Sequence, residues 1–321
     1  MMNFDNLITQ IKVRNKKYIS RAISLIENNN SYSVELLKNI HKLIGKSYRI
    51  GITGPPGAGK STITNELTKL LLNQNKSVGI IAVDPTSPFT GGAVLGDRIR
   101  MNEIGLNDNV FIRSMATRGS LGGLSKKAND AADILDSAGY DFIIFETVGV
   151  GQSELDIAKT ADTTMVVLVP ESGDSVQAMK AGLMEIADFF IMNKGDRPGA
   201  DSAILSLQTT LALKAHDENT FLPNIIKSTA SKSEGIDDIL NEIDKHRNFL
   251  LSSELFIKRR NKNNQIRVKE IVESFVTNDI WNSARTEILQ NELELITNSE
   301  ISPYESAEKI IEHYKKEILT N

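Results

Sequence analysis

The chain has 321 residues, with 37 Lys and Arg against 41 Asp and Glu, a formal net charge of −4 and no cysteine. That length holds one large α/β domain with appendages, or two domains, and the missing basic excess argues against a nucleic-acid or anionic-membrane partner. Without cysteine there are no disulfides, thiolate metal sites or cysteine nucleophiles, which is compatible with a reducing compartment.

The N-terminus, MMNFDNLITQIKVRNKK, has neither an apolar signal core nor a transit pattern, and no apolar run reaches the roughly 18 residues of a membrane span. A soluble, cytoplasmic protein is expected. Residues 1–45 are expected as an N-terminal helical extension, because Leu36, Leu37, Ile40, Leu43 and Ile44 recur at helical spacing and Gly45 supplies a stop. Over 46–250, short β-rich runs (YRIGIT, SVGIIAVD, NVFIRS, DFIIFE, TTMVVLV, DFFIMN, NIIKST) alternate with helical stretches. This alternation predicts an α/β fold with a mostly parallel central sheet flanked by helices. Its ligand site then lies beyond the carboxyl ends of the strands. After Phe249 the pattern lengthens into charged helical spacing, so 251–321 is expected as a C-terminal helical region. The stretch KRRNKNNQIR, from Lys258 to Arg267, lacks interleaved aromatics and reads as a solvated helix face or linker.

The first apolar run opens into GPPGAGKST: Gly54, Pro55, Pro56, Gly57, Ala58, Gly59, Lys60, Ser61 and Thr62. This is the GxxxxGKS pattern of a phosphate-cradling loop in a P-loop NTPase. Its glycines let the backbone curl round phosphates, so that N–H groups and the following helix N-terminus point inward. Lys60 is expected on the β- and γ-phosphates and Ser61 on Mg²⁺.

Further along, DFFIMNKGD ends in Asn193, Lys194, Gly195 and Asp196, which fit the NKxD element that reads guanine. An aspartate there accepts from guanine N1–H and the exocyclic amine, a donor pair that adenine lacks. Lys194 can lay its stem along the base and Asn193 can tie this loop to the phosphate loop. Thr229, Ala230 and Ser231 stand where a backbone N–H meets guanine O6. Two strand-like runs end in carboxylates, at Asp84 and Glu146, both suited to Mg²⁺ directly or through water. Glu146 opens ETVG, whose Gly149 fills the place of a γ-phosphate sensor. Asp97, in the Gly-rich stretch GGAVLGD, suits a mobile switch and a metal or catalytic role, and Gln152 can orient water or start a helix. Arg98, Arg100, Arg113 and Arg118 are candidates to neutralise charge on the transferred phosphoryl group, each also readable as a surface or switch-loop residue.

Taken with RAISLIE (Arg21 to Glu27), VDPTSPFTGGAVLGDRIRM (Val83 to Met101), ETVGVGQSE (Glu146 to Glu154) and GDSVQAMKAG (Gly173 to Gly182), these motifs resemble the MeaB/ArgK/MMAA family of GTPases. The resemblance covers most of residues 19–250. It implies a SIMIBI-class GTPase domain, GTP and GDP as ligands with Mg²⁺, and a homodimer joined largely through the C-terminal helices. It further implies a chaperone that docks on an adenosylcobalamin-dependent acyl-CoA mutase such as methylmalonyl-CoA mutase, gates cofactor delivery and protects or reactivates the mutase. Asp174 and Lys180 fall in the segment where that family couples partner binding to catalysis.

Three other readings stay open. A nickel-insertion GTPase needs metal ligands, and His41, His216, His246 and His313 are scattered without ligand spacing. A transport-protein kinase needs a phospho-acceptor site, and none is recognisable. A nucleotide-switched scaffold differs from the leading reading mainly in whether turnover matters.

Overall fold

The computed structural model describes residues 4–84, 102–116, 123–147, 153–171, 182–213 and 220–320. In chain order the elements begin with α1 (Phe4–Lys12), α2 (Lys16–Glu27), α3 (Ser33–Ile40), β1 (Tyr48–Thr53), α4 (Lys60–Asn73), β2 (Val78–Asp84), α5 (Asn102–Gly105), β3 (Val110–Ala116) and α6 (Gly123–Ser137). They continue with β4 (Phe142–Thr147), α7 (Ser153–Ala158), β5 (Thr163–Leu168), α8 (Leu183–Ile186), β6 (Phe189–Met192), α9 (Ala200–Leu211) and β7 (Ile225–Lys227). Four helices follow: α10 (Ile236–Ser252), α11 (Leu255–Ile280), α12 (Ser283–Thr297) and α13 (Pro303–Thr320).

The strands form one seven-stranded sheet in the order β3-β2-β4-β1-β5-β6-β7, with every pairing parallel. Apolar runs make such strands because both sheet faces are covered. On β4, Ile143 and Phe145 enter a core shared with α1, α2, α3 and α6, while Phe142 and Ile144 enter the opposite core with Ile63, Leu67 and Leu71 of α4 and Ile239 and Ile243 of α10. The period-2 alternation of a strand thus divides its side chains between two helix layers. β1 lies centrally; the chain leaves it toward β2 and β3 on one side and later crosses to β5, β6 and β7 on the other. A crevice at its carboxyl end follows from that topology.

The N-terminal helices bury Leu7, Ile11, Ile19, Ile23 and Ile26 in the same core as the sheet. The helix over Leu36 to Ile44 ends earlier than its spacing suggests, because the chain tightens into a 3-10 turn at His41–Leu43 and Ile44 turns extended. Gly45 follows at a φ of 100°, and the N–H groups of Gly45, Lys46 and Ser47 all donate to the buried Asp136 carboxylate at 2.7, 3.1 and 3.1 Å. This pins the entry to β1.

The chain forms two compact units, one ending at Asn263 and a second beginning at Asn264. Within the second unit, Asn282 caps α12 by accepting from Arg285 N–H at 3.0 Å, and Arg285 pairs with Glu317 and Lys309 with Glu292.

Within the first unit, the start of α11 departs from the solvated face expected of KRRNKNNQIR. Arg259 donates to both oxygens of Asp188 at 2.8 and 2.9 Å, and Arg260 to both oxygens of Asp162 at 2.8 and 2.7 Å. Those carboxylates also accept the Thr164 and Arg49 N–H groups at 2.7 and 2.9 Å. A bidentate guanidinium–carboxylate pair is geometrically specific, so these arginines anchor the helix to the base of the sheet. Between them lies a buried chain in which Tyr48 Oη is 2.5 Å from Thr163 Oγ1, itself 2.7 Å from His246 Nδ1, with His246 Nε2 3.4 Å from Asp188.

Burial of His246 pushes its pKa below the usual 6.5, against the pull of Asp188. A group depressed in the native state contributes stability that is present above the unfolded pKa and lost as pH falls through it. Between pH 7.5 and 5.5 the wild type should therefore lose stability through this residue, on the order of 1 kcal/mol at most. Urea melts across that interval should show a shallower loss for His246→Gln, and equal slopes would refute the assignment.

Candidate functional site

The phosphate loop leaves β1 at Thr53 and enters α4 at Lys60. Two of its glycines are sterically required. Gly54, at a φ of 133°, would place a Cβ 2.1 Å from the Val167 carbonyl oxygen of β5, and Gly59, at 93°, would place one 2.2 Å from Asn193 Nδ2. Gly57 also has a positive φ, of 73°. Any Cβ at either of the first two positions would displace the loop from its neighbours. Pro56 and Gly57 face solvent, Pro55 and Gly59 are half-buried, and Ala58 is packed in the core. Lys60 is buried, its ammonium donating to Gly54 O at 2.7 Å and Pro55 O at 2.9 Å, so the loop curls round its own lysine.

Asn193, at the end of β6, ties three segments together. Its Nδ2 donates to Ala58 O at 2.8 Å, while Oδ1 accepts from Ala230 N–H at 3.1 Å and from the Ser228 hydroxyl at 3.2 Å. Lys194 adopts a φ of 57°, Gly195 N–H donates to Ser228 O at 2.8 Å, and Ser228 N–H donates to Met192 O at 2.9 Å. Thr229 bridges to Glu234, and Ala230, Ser231 and Lys232 form a 3-10 turn. Asp196 is exposed at the outer edge and accepts from Lys232 Nζ at 3.0 Å, a bond that holds its carboxyl below the ordinary range. The segment is also fastened to α4, since Ser233 Oγ donates to Glu66 at 2.8 Å.

At the end of β4, Glu146 is buried, its Oε1 accepting from Ser61 Oγ at 2.5 Å and its Oε2 from Thr64 Oγ1 at 2.8 Å. Thr147 beside it donates to Thr53 Oγ1 at 3.0 Å. Hydroxyl and carboxylate oxygens at the foot of a phosphate loop fit a hard cation that takes its other ligands from phosphates and water. Thr62 is half-buried on α4, and Asp84 closes β2 next to β4. Among the described residues no cluster of three or more His, Asp or Glu could hold a metal by itself.

The structure thus gathers the phosphate loop, Glu146, Asn193, Lys194, Asp196 and residues 229–231 at the carboxyl ends of β1, β4, β6 and β7. Asp97, Gly149, Gln152 and Lys180 lie outside the described residues, as do Arg98, Arg100, Arg118 and Asp174. Arg113 is not a phosphate-facing cation: its guanidinium is bound to Glu27 and to Ser24 Oγ of α2, because β3 is the edge strand against which that helix packs. Thr64, Lys232 and the Glu66–Ser233 tether had no motif to mark them. Thr64 does fall three residues after Ser61, hence on the same helix face.

A family model described as methylmalonyl Co-A mutase-associated GTPase MeaB matches residues 19–285. A putative GTPase of Pyrococcus abyssi is 44% identical over 309 residues, covering 96% of this chain and 95% of its own. The mitochondrial methylmalonic aciduria type A homolog of Mus musculus is 30% identical over 333 residues, covering 97% and 79%. The crystal structure of a LAO/AO transport system kinase superposes with a TM-score of 0.75 at 25% identity, covering 98% of this chain and 99% of that one.

Proposed function

The chain belongs to the MeaB family of methylmalonyl-CoA mutase-associated GTPases, and from that premise we propose that it is a homodimeric, GTP-hydrolysing chaperone of an adenosylcobalamin-dependent acyl-CoA mutase. The family match supports the chaperone role, and the observation that supports the nucleotide site is the Asn193 tie, which hydrogen-bonds the phosphate loop at Ala58 to the loop at Ala230. Phosphate recognition and base recognition can then report to each other. Lys60 takes the β- and γ-phosphates, the loop N–H groups cradle them, and Asp196 reads guanine. Ser61 and Glu146, with Asp84 and Asp97, serve Mg²⁺. When bound, that ion neutralises charge on the phosphate oxygens. The protein's own part is to hold the triphosphate in line for water and to keep the buried oxygens fixed.

The C-terminal helical region, 251–321, supplies the dimer contact in this reading. On α11, Val268, Ile271, Val272 and Phe275 fall at helical spacing and are all exposed, an apolar stripe that a second copy would cover. Action in the cytoplasm belongs to the same proposal and agrees with the cysteine-free composition. Among the described residues no helix is long and apolar enough to cross a membrane.

Mixing the purified protein with methylmalonyl-CoA mutase and following phosphate release tests the reading. GTP turnover should rise with added mutase, and a complex should co-elute on size exclusion. Turnover unchanged by any such mutase, with no complex, would remove the chaperone role while leaving the GTPase in place.

A further inference from the structure

P-loop NTPases hold Mg²⁺ with the loop Ser or Thr and a strand-end aspartate. This chain has a glutamate, Glu146, as the penultimate residue of β4, one methylene longer, so an extra torsion must be fixed before the carboxylate can serve a metal. We infer that Thr64 fixes it: Thr64 is a positioning residue whose hydroxyl locks the Glu146 carboxylate against Ser61, and so sets the affinity for Mg²⁺. The inference rests on the magnesium role proposed above for Ser61 and Glu146.

Ser61 and Thr64 are three residues apart on α4 and therefore share a face. They bracket the carboxylate, with Ser61 Oγ 2.5 Å from Oε1 and Thr64 Oγ1 2.8 Å from Oε2. Thr64 is fully buried and Glu146 is 4% exposed, so bulk water does not compete for these bonds. Thr64 Oγ1 also lies 3.0 Å from Lys60 O, yet a hydroxyl has one proton. A charge-assisted bond is about twice as strong as a neutral one, and the Lys60 carbonyl already serves the helix ladder; the proton goes to Glu146. With Oε2 held, the Ser61 hydroxyl donates its proton to Oε1, and its lone pairs would remain to accept a bond to a cation.

The strand itself does not depend on Thr64. Glu146 is paired in register with Ile52 of β1 and Ala82 of β2, and Thr147 is bonded to Thr53. Loss of the Thr64 hydroxyl therefore acts on the side chain of Glu146 and not on the backbone that carries it.

The test uses the full-length protein loaded with a fluorescent GDP, titrated with Mg²⁺ and separately measured in EDTA. Thr64→Val keeps the shape of the side chain and removes the donor. It should raise the Mg²⁺ concentration for half-maximal nucleotide retention at least tenfold and leave the metal-free GDP affinity within twofold. Thr64→Ser, which keeps the hydroxyl, should return the half-saturation to near the wild-type value; should Thr64→Val not fold, Thr64→Ala against Thr64→Ser makes the same comparison. Wild-type Mg²⁺ dependence in the valine or alanine variant overturns the inference, as does an equal loss of affinity in EDTA or a serine variant as defective as the valine one. A wild-type protein whose GDP retention ignores Mg²⁺ overturns the magnesium reading itself, and that result is distinct from the others.

Discussion

Asn193→Asp should weaken GTP binding about a hundredfold and destabilise the fold by about 3 kcal/mol, although the two side chains have nearly the same shape. The native amide donates to Ala58 O and accepts from Ala230 N–H and Ser228 Oγ in a buried setting. A carboxylate keeps the accepting side and reverses the other, setting an unneutralised oxygen against the Ala58 carbonyl. Gly59, tight against Nδ2, leaves no room for the side chain to swing clear. Protonation of the new carboxyl restores a donor, so the defect should shrink as pH is lowered toward 5. Calorimetric GTP titrations at pH 7.5 and 5.5 check this, alongside chemical denaturation of the nucleotide-free variant. A near-native affinity at pH 7.5 would show that the two loops are held together by something other than this amide.

How much of this could be read from the chain varies with the range of the contact. The sheet was legible because each strand is a short apolar run, and runs such as FIIFE and FFIM are buried on both faces and so lack the interruptions that blur amphipathic strands. The phosphate loop was legible for a different reason: positive φ at Gly54 and Gly59, with no room for a Cβ, confines these positions to glycine, and the constraint is therefore written in the sequence. Contacts made by common residues over long separations left no such trace. Arg259 and Arg260 stand in a run of charged and amide residues that resembles any exposed helix, and only the fold brings Asp188 and Asp162 beneath them. Arg113 is silent in the same way, since its partner Glu27 is 86 residues earlier. Thr64 is intermediate. Its spacing from Ser61 is visible, but its partner Glu146 becomes apparent only once β4 is seen beside β1 and α4.

Asp196→Asn should exchange guanine for xanthine as the preferred base, with GTP affinity falling by roughly two to three orders of magnitude and xanthosine triphosphate binding better than GTP. A carboxylate offers two acceptors, which match N1–H and the exocyclic amine of guanine; a carboxamide offers one acceptor and one donor, which match N1–H and the C2 carbonyl of xanthine. The loop around it should survive the change. Asp196 is exposed and its bond to Lys232 lies at the surface, whereas the loop is positioned by buried groups: Asn193, the Gly195 N–H on Ser228 O, and the Ser233 hydroxyl on Glu66. The unfolding midpoint of the nucleotide-free variant should accordingly stay close to wild type, which separates a change of specificity from damage to the fold. An aspartate carboxyl is already ionised at pH 5, and the Lys232 contact holds this one lower still, so guanine selectivity over adenine should persist there. Competition of GTP, ATP and xanthosine triphosphate for one site, read with a fluorescent analogue, decides the matter. Unaltered GTP affinity in the variant would take base recognition away from Asp196.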